Sequence, residues 1–218
     1  MNFKQPVCHL FVFVCLVGID ARAQSFNQDH SCTVDASGLF VLPFDKDGKN
    51  FKRNAGFHVG GGFAVTPHGQ KTSLFLTVNY LYTRLKATPT ALQVITGNPN
   101  DQLSAATSAH GAFSALTFDP TLRHAINNRV GIYVSGGFGW LRRGVAFADA
   151  NPSTLIQSTG STLENQSLNS GVVDLGGGVN FGLASEGGVM LFADVHVFKG
   201  LTVNGATVLL PVSVGVRW

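Results

Sequence analysis

Eight segments of this chain alternate apolar residues with small or polar ones, and the connectors between them alternate between short and long. The segments are TVDASGLFVLP (33–43), GFHVGGGFAV (56–65), SLFLTVNYLYT (73–83), FSALTFDPTLR (113–123), RVGIYVSGGFGWL (129–141), VVDLGGGVNFGL (172–183), VMLFADVHVFK (189–199) and PVSVGVRW (211–218). A period of two over such lengths predicts β-strands. In the third segment Leu74, Leu76, Val78, Tyr80 and Tyr82 share one face, against Phe75, Thr77, Asn79 and Leu81. The first segment alternates imperfectly. Pro120 weakens the fourth, because a central strand rarely tolerates a missing backbone donor. The connectors TPHGQK, HAINN and ASEGG are short and turn-like, whereas FDKDGKNFKRNA, 85–112, 142–171 and GLTVNGATVL are longer.

No segment reaches the 18 or so consecutive apolar residues of a membrane-crossing helix. Antiparallel strands joined alternately by short turns and long loops, in even number, instead describe an up-and-down barrel of the transmembrane kind. A strand of about 9–11 tilted residues crosses the apolar layer of a bilayer. The face opposite the large apolar residues decides the environment. In a soluble sheet that face meets water, yet only 12% of this chain is charged and 26 residues are Gly. An eight-stranded barrel encloses a lumen just wide enough for side chains to fill, which suits small and polar groups inside and large apolar ones toward lipid. Tyr80, Tyr82, Trp140 and Trp218 lie near strand ends, where an interfacial aromatic girdle belongs. Hydrocarbon leaves no backbone group unpaired, so the sheet must close and the last strand must pair with the first. The expected fold is all-β: a closed eight-stranded antiparallel transmembrane β-barrel.

The N-terminus reads as a signal peptide over residues 1–23, leaving a barrel domain over 24–218. Lys4 precedes the ten-residue apolar run LFVFVCLVGI, and Ala21-Arg22-Ala23 supplies small residues ahead of a cut before Gln24. The run is too short for a transmembrane helix, and the residues directly before Cys15 do not suit a lipoprotein signal. Loss of Lys4, Asp20 and Arg22 takes the net charge from +3 to +2. Cys32 is then the remaining cysteine, so no internal disulfide forms. The longest basic runs are pairs, Lys52-Arg53 and Arg142-Arg143, which speaks against nucleic-acid binding.

The alternation projects Asp35, His58, Asp119, Arg123, Asp174, Asp194, His196 and Arg217 inward. Buried charge is costly unless paired, so these residues are expected to form a polar network plugging the lumen. Asp174, Asp194, His196 and Arg217 fall on the last three strands and are expected to be direct partners. An ion pathway or a hydrolytic site is the competing reading of the same residues. The seven histidines show no metal-ligand spacing such as H-E-x-x-H, and no phosphate-binding G-x-x-x-x-G-K-[ST] occurs, so neither metal nor cofactor is expected. The GGG runs at 60–62 and 176–178 open no helix that could cradle phosphate. They fit close backbone approach in a tightly curved barrel.

The terminal PVSVGVRW and the Gly-rich strands GFHVGGGFAV and VDLGGGVNFGL resemble the small outer-membrane barrels of the OmpA and OmpX type, over residues 24–218 and without a peptidoglycan-binding domain. The resemblance implies a Gram-negative outer membrane, with lipid and lipopolysaccharide as surroundings. It also implies a C-terminal signal for the barrel-assembly machinery, carried here by Val212, Val214, Val216 and Trp218; Phe is the commoner final residue. Family members that deacylate lipid A would need a Ser two residues after an outward His. Here Phe198 holds that position after His196, so no enzyme activity is expected. Three readings stay open: a structural or surface-interaction barrel whose polar loops meet an unidentified extracellular ligand, a small ion-conducting pore, and a secreted soluble β-barrel binding a small ligand.

Overall fold

Pairing between neighbouring strands sets where each strand begins and ends. The computed structural model describes residues 32–44, 50–66, 70–88, 108–148, 166–183, 188–201 and 207–218. The expected signal peptide, residues 1–23, lies outside them. The strands are β1 (Cys32–Phe44), β2 (Phe51–Lys52), β3 (Asn54–Ala64), β4 (Thr72–Ala87), β5 (Ser108–Ala125), β6 (Val130–Ala148), β7 (Gln166–Gly182), β8 (Met190–Leu201) and β9 (Val208–Arg217). β2 and β3, separated only by Arg53, both pair with β4 and act as one stave, so the wall has eight.

Every stave pairs antiparallel with its neighbours in sequence, and β1 pairs with both β3 and β9. The sheet therefore closes on itself. The closing seam runs from Asp35↔Arg217 to Phe44↔Val208. Two further backbone bonds, Val34 N to Trp218 O at 2.8 Å and Trp218 N to Val34 O at 2.9 Å, carry it to the final residue. An unpaired seam in hydrocarbon would cost several kcal/mol per exposed polar group.

β5, β6 and β7 extend well beyond the alternating segments that announced them. The β5–β6 ladder continues to Ser108↔Ala148 and the β6–β7 ladder to Val145↔Gln166. The long connectors expected at 85–112 and 142–171 thus shrink to 88–107 and 149–165. Arg142-Arg143-Gly144 carries no apolar alternation, but cross-strand hydrogen bonds need none. Pro120 sits inside β5, within the strand expected over 113–123. It pairs with Leu76 on the β4 side, while the ladder to β6 skips Asp119 and Pro120 opposite Gly136 and Gly137. The missing donor costs one interruption, and the strand continues on both sides of it.

Side-chain direction follows the period of two. Large apolar residues point outward and stay uncovered: Phe138, Leu175 and Val214 are each 65% exposed. A continuous apolar exterior of this kind is foreign to soluble monomers and matches a lipid-facing wall. The interior has two storeys. Toward the end that carries the short turns and Trp218 it is polar. Toward the other end, Leu39, Val41, Phe51, Leu81, Leu85, Phe113, Ala115, Leu141, Val172, Phe198 and Leu209 form one buried apolar cluster.

Candidate functional site

The polar storey draws side chains from every stave. Asp35, His58, Asp119, Arg123, Asp174, Asp194, His196 and Arg217 all point into it, and the four aspartates are 2–8% exposed. Arg217 lies at the closing seam. Its Nε donates to Asp35 Oδ2 at 3.2 Å and its Nη1 to Asn180 Oδ1 at 2.9 Å. The guanidinium also lies over the Tyr133 and Phe192 rings, 4.8 and 4.7 Å from their centroids. Arg217 is therefore not a direct partner of Asp174 or Asp194, which corrects the expectation drawn from their shared place on the last three strands. The register explains this: Arg217 faces Met190, four residues along β8 from Asp194.

His196 does join those two aspartates. Its Nδ1 lies 3.4 Å from Asp174 Oδ2 and its Nε2 3.8 Å from Asp194 Oδ2. Tyr133 Oη donates to Asp194 Oδ2 at 2.6 Å, which links this cluster to Arg217 through the tyrosine ring. Asp119 accepts from Thr117 Oγ1 at 2.8 Å and from Asn79 Nδ2. Asn79 in turn accepts from His58 Nε2 at 3.2 Å. Arg123 stands apart from the carboxylates, with Nη2 donating to Thr33 Oγ1 at 3.2 Å and its guanidinium 3.8 Å from the centroid of the Phe75 ring.

Ser37, His58 and Asp35 come together, and their geometry can be tested against a hydrolytic triad. Ser37 Oγ is 3.3 Å from His58 Nδ1, and Asp35 Oδ1 is 3.6 Å from the same nitrogen. A triad needs the hydroxyl on one ring nitrogen and the carboxylate on the other. Here Nε2 is occupied by Asn79, so the constellation is a hydrogen-bond knot without an activated nucleophile.

The glycines make this packing possible. A Cβ on Gly176 would fall within the His196 ring, and one on Gly137 against the Asp119 carboxylate. On Gly178 it would stand 2.6 Å from the Asp194 Cβ, and on Gly60 2.7 Å from Asp35 Oδ1. Each polar side chain thus lies across the bare backbone of an adjacent strand. The GGG runs serve close approach, as their failure to open a helix suggested. A cavity of about 30 Å³ remains, lined by Asp35, His58, Asp119, Tyr133, Asp194 and Arg217 among others, enough for one or two water molecules.

The apolar storey is not among the features expected from the sequence. Its signal was present: Leu81, Leu85, Phe113, Leu141, Phe198 and Leu209 all occupy inward positions of their strands. Phe51 and Phe113 meet edge to face with centroids 5.4 Å apart. The cluster draws on all eight staves, the β2–β3 stave contributing Phe51, while on β3 Gly56 leaves room for Leu39 and Thr83. The expected outward row of the last strand is in place, with Val212, Val214, Val216 and Trp218 exposed. Cys32 is an exposed free thiol at the start of β1.

No protein-family model matches the chain, and no curated protein matches it. Solved structures do. Neisserial surface protein A aligns over 86% of this chain and 96% of its own, with a TM-score of 0.54 and 14% identity. Ail of Yersinia pestis, in complex with the heparin analogue sucrose octasulfate, aligns over 88% and 100%, with a TM-score of 0.49 and 12% identity. A major outer membrane protein from Thermus thermophilus aligns over 87% and 99%, with a TM-score of 0.49 and 12% identity. Closed wall, lipid-type exterior and the likeness to Neisserial surface protein A agree: this chain has the fold of the small eight-stranded outer-membrane β-barrels.

Proposed function

We propose that the protein is a structural, surface-interaction barrel of the Gram-negative outer membrane, closed to ion flow, which presents the connectors 88–107 and 149–165 to the outside. The apolar storey carries this reading. Its side chains come from around the whole wall, and Leu85, Phe113 and Val41 are fully buried, so a hydrated path through the polar storey meets a dry layer. That observation favours the closed barrel over the small pore, and the uncovered apolar exterior disfavours a soluble, ligand-carrying barrel. Planar-bilayer recording on the refolded full chain tests it. The expected result is no defined conductance step from the wild type and steps from Phe113→Ala. Steady wild-type conductance would overturn the closed reading.

The same reading assigns residues 1–23 to a cleaved signal, so the N-terminal sequence of protein from outer membranes should start at or near Gln24. Val212, Val214, Val216 and Trp218 are assigned to recognition by the barrel-assembly machinery. Deleting Trp218 should then lower the amount of inserted barrel in cells more than it lowers the stability of refolded protein. An equal effect on both would leave Trp218 with a purely structural role. The extracellular ligand would be read by the polar loops, which contain Asn98-Pro99 and Asn151-Pro152.

A further inference from the structure

All four acidic residues among the described part of the chain, Asp35, Asp119, Asp174 and Asp194, are buried in the lumen. Among the described residues the outer wall therefore carries cations only, and they concentrate at one place. Lys52 of β2 stands directly opposite Lys86 of β4. Arg53 follows Lys52, and Arg84 occupies the next outward position below Lys86. All four are exposed. Like charges placed directly opposite on neighbouring strands destabilise the pair, and among the described residues no carboxylate on this wall relieves them.

The column beneath the patch gives its height. Along β4 the outward residues read Leu74, Leu76, Val78, then Tyr80 and Tyr82, then Arg84 and Lys86. From Leu74 to Arg84 is ten residues. At about 3.3 Å each and a tilt near 40° this rises about 25 Å, the height of the apolar band of such barrels. The cations thus begin where hydrocarbon ends, on the side of the long connectors. Aromatics mark the same level: Phe57 packs on Tyr82 and Tyr80, with centroids 5.6 and 6.2 Å apart, and the Arg53 guanidinium lies 5.9 Å from the centroid of Phe40. Amphipathic rings belong at headgroup level.

We propose that Lys52, Arg53, Arg84 and Lys86 form a binding site for the anionic phosphate headgroup of a membrane lipid, whose chains lie against Phe40, Phe57, Tyr80 and Tyr82. Charge complementarity and level select the occupant: a phosphorylated headgroup brings a concentrated negative charge to the height at which four cations stand that no carboxylate among the described residues relieves. Arginine and lysine both bind phosphate, the former through its planar fork of donors. The site rests on the barrel's membrane placement and adds a specific ligand to it. It would tie the lipid to the staves that flank the connectors at 45–49 and 88–107.

Native mass spectrometry of the refolded full chain, released from mixed micelles, tests the assignment. The probes are a bis-phosphorylated glycolipid, its dephosphorylated form and inorganic phosphate at matched concentration. The wild type should retain the phosphorylated lipid in preference to the dephosphorylated one. Each cation removed should weaken retention roughly fivefold, so Lys86→Gln is informative even if Lys52→Gln/Arg53→Gln/Arg84→Gln/Lys86→Gln folds poorly. The control Lys71→Gln/Arg129→Gln, at the opposite rim, should bind as the wild type does. Equal retention by Lys86→Gln and wild type would overturn the proposal. So would equal affinity for the dephosphorylated lipid, or saturation by inorganic phosphate that displaces no lipid-dependent signal. Because binding is read on purified protein, its failure is separate from failure of the membrane topology, which cysteine labelling on cells reads.

Discussion

Val214→Arg should damage this barrel through solvation alone, and the structure supplies the magnitude. Val214 points outward and is 65% exposed. Its cross-strand neighbours are Gly38 on β1 and Ala193 on β8, and a Cβ on Gly38 would meet nothing within 4 Å. An arginine there therefore clashes with nothing. Depth follows from the strand. Val214 lies four residues from Trp218, about 13 Å along the chain at 3.3 Å per residue, or about 10 Å along a barrel axis tilted near 40°. In an apolar band about 25 Å tall that is close to the midplane, where a lipid-facing Arg costs about 2–4 kcal/mol. Trp218→Arg, at the edge of the band, should cost about 0–1 kcal/mol. Urea unfolding of refolded protein in phospholipid vesicles, followed by tryptophan fluorescence at Trp140, compares the two. Equal costs for both variants would refute the depth argument. A soluble sheet with a valine core would also penalise Val214→Arg, but its wild type would stay in solution without detergent and show no heat-modifiable migration.

Further outcomes follow from the interior and the topology. Gly176→Ala should destabilise by about 1–3 kcal/mol through overpacking against the His196 ring, whereas Gly38→Ala should be nearly neutral; adding His196→Ala should recover much of the first loss in the same urea assay. Arg217→Met leaves the Asp35 carboxylate buried without its cation and should cost about 3–5 kcal/mol, with Asp35→Asn/Arg217→Met restoring most of it; strict additivity of the two single changes would count against a direct pair. In a Cys32→Ser background, Thr90→Cys should react with an impermeant maleimide on intact cells and Asn127→Cys only after permeabilisation; labelling of Asn127→Cys on intact cells would invert the barrel.

The sequence by itself determined which residues face in and which face out. A strand's side chains alternate with a period of two whatever it pairs with, so His58, Asp119, Asp174 and Asp194 could be assigned to the lumen and Val214 to the wall one by one. It also determined that the last strand had to find the first, because hydrocarbon tolerates no free edge. The tertiary structure alone decided who meets whom. The stagger between strands places Arg217 against Asp35 and Asn180, removing it from the Asp174–His196–Asp194 cluster beside which it stands in sequence order. Stagger is set by the whole closed ladder and leaves no mark in any one strand. The same holds for the apolar storey. Phe113, Leu85 and Leu209 sit on three different strands and look like isolated exceptions on a polar face until closure brings them to one height. Strand length belongs to the structure too: β6 runs through Arg142, Arg143 and Gly144 because its neighbours hydrogen-bond to it, and a backbone ladder beyond the bilayer needs no apolar pattern to persist.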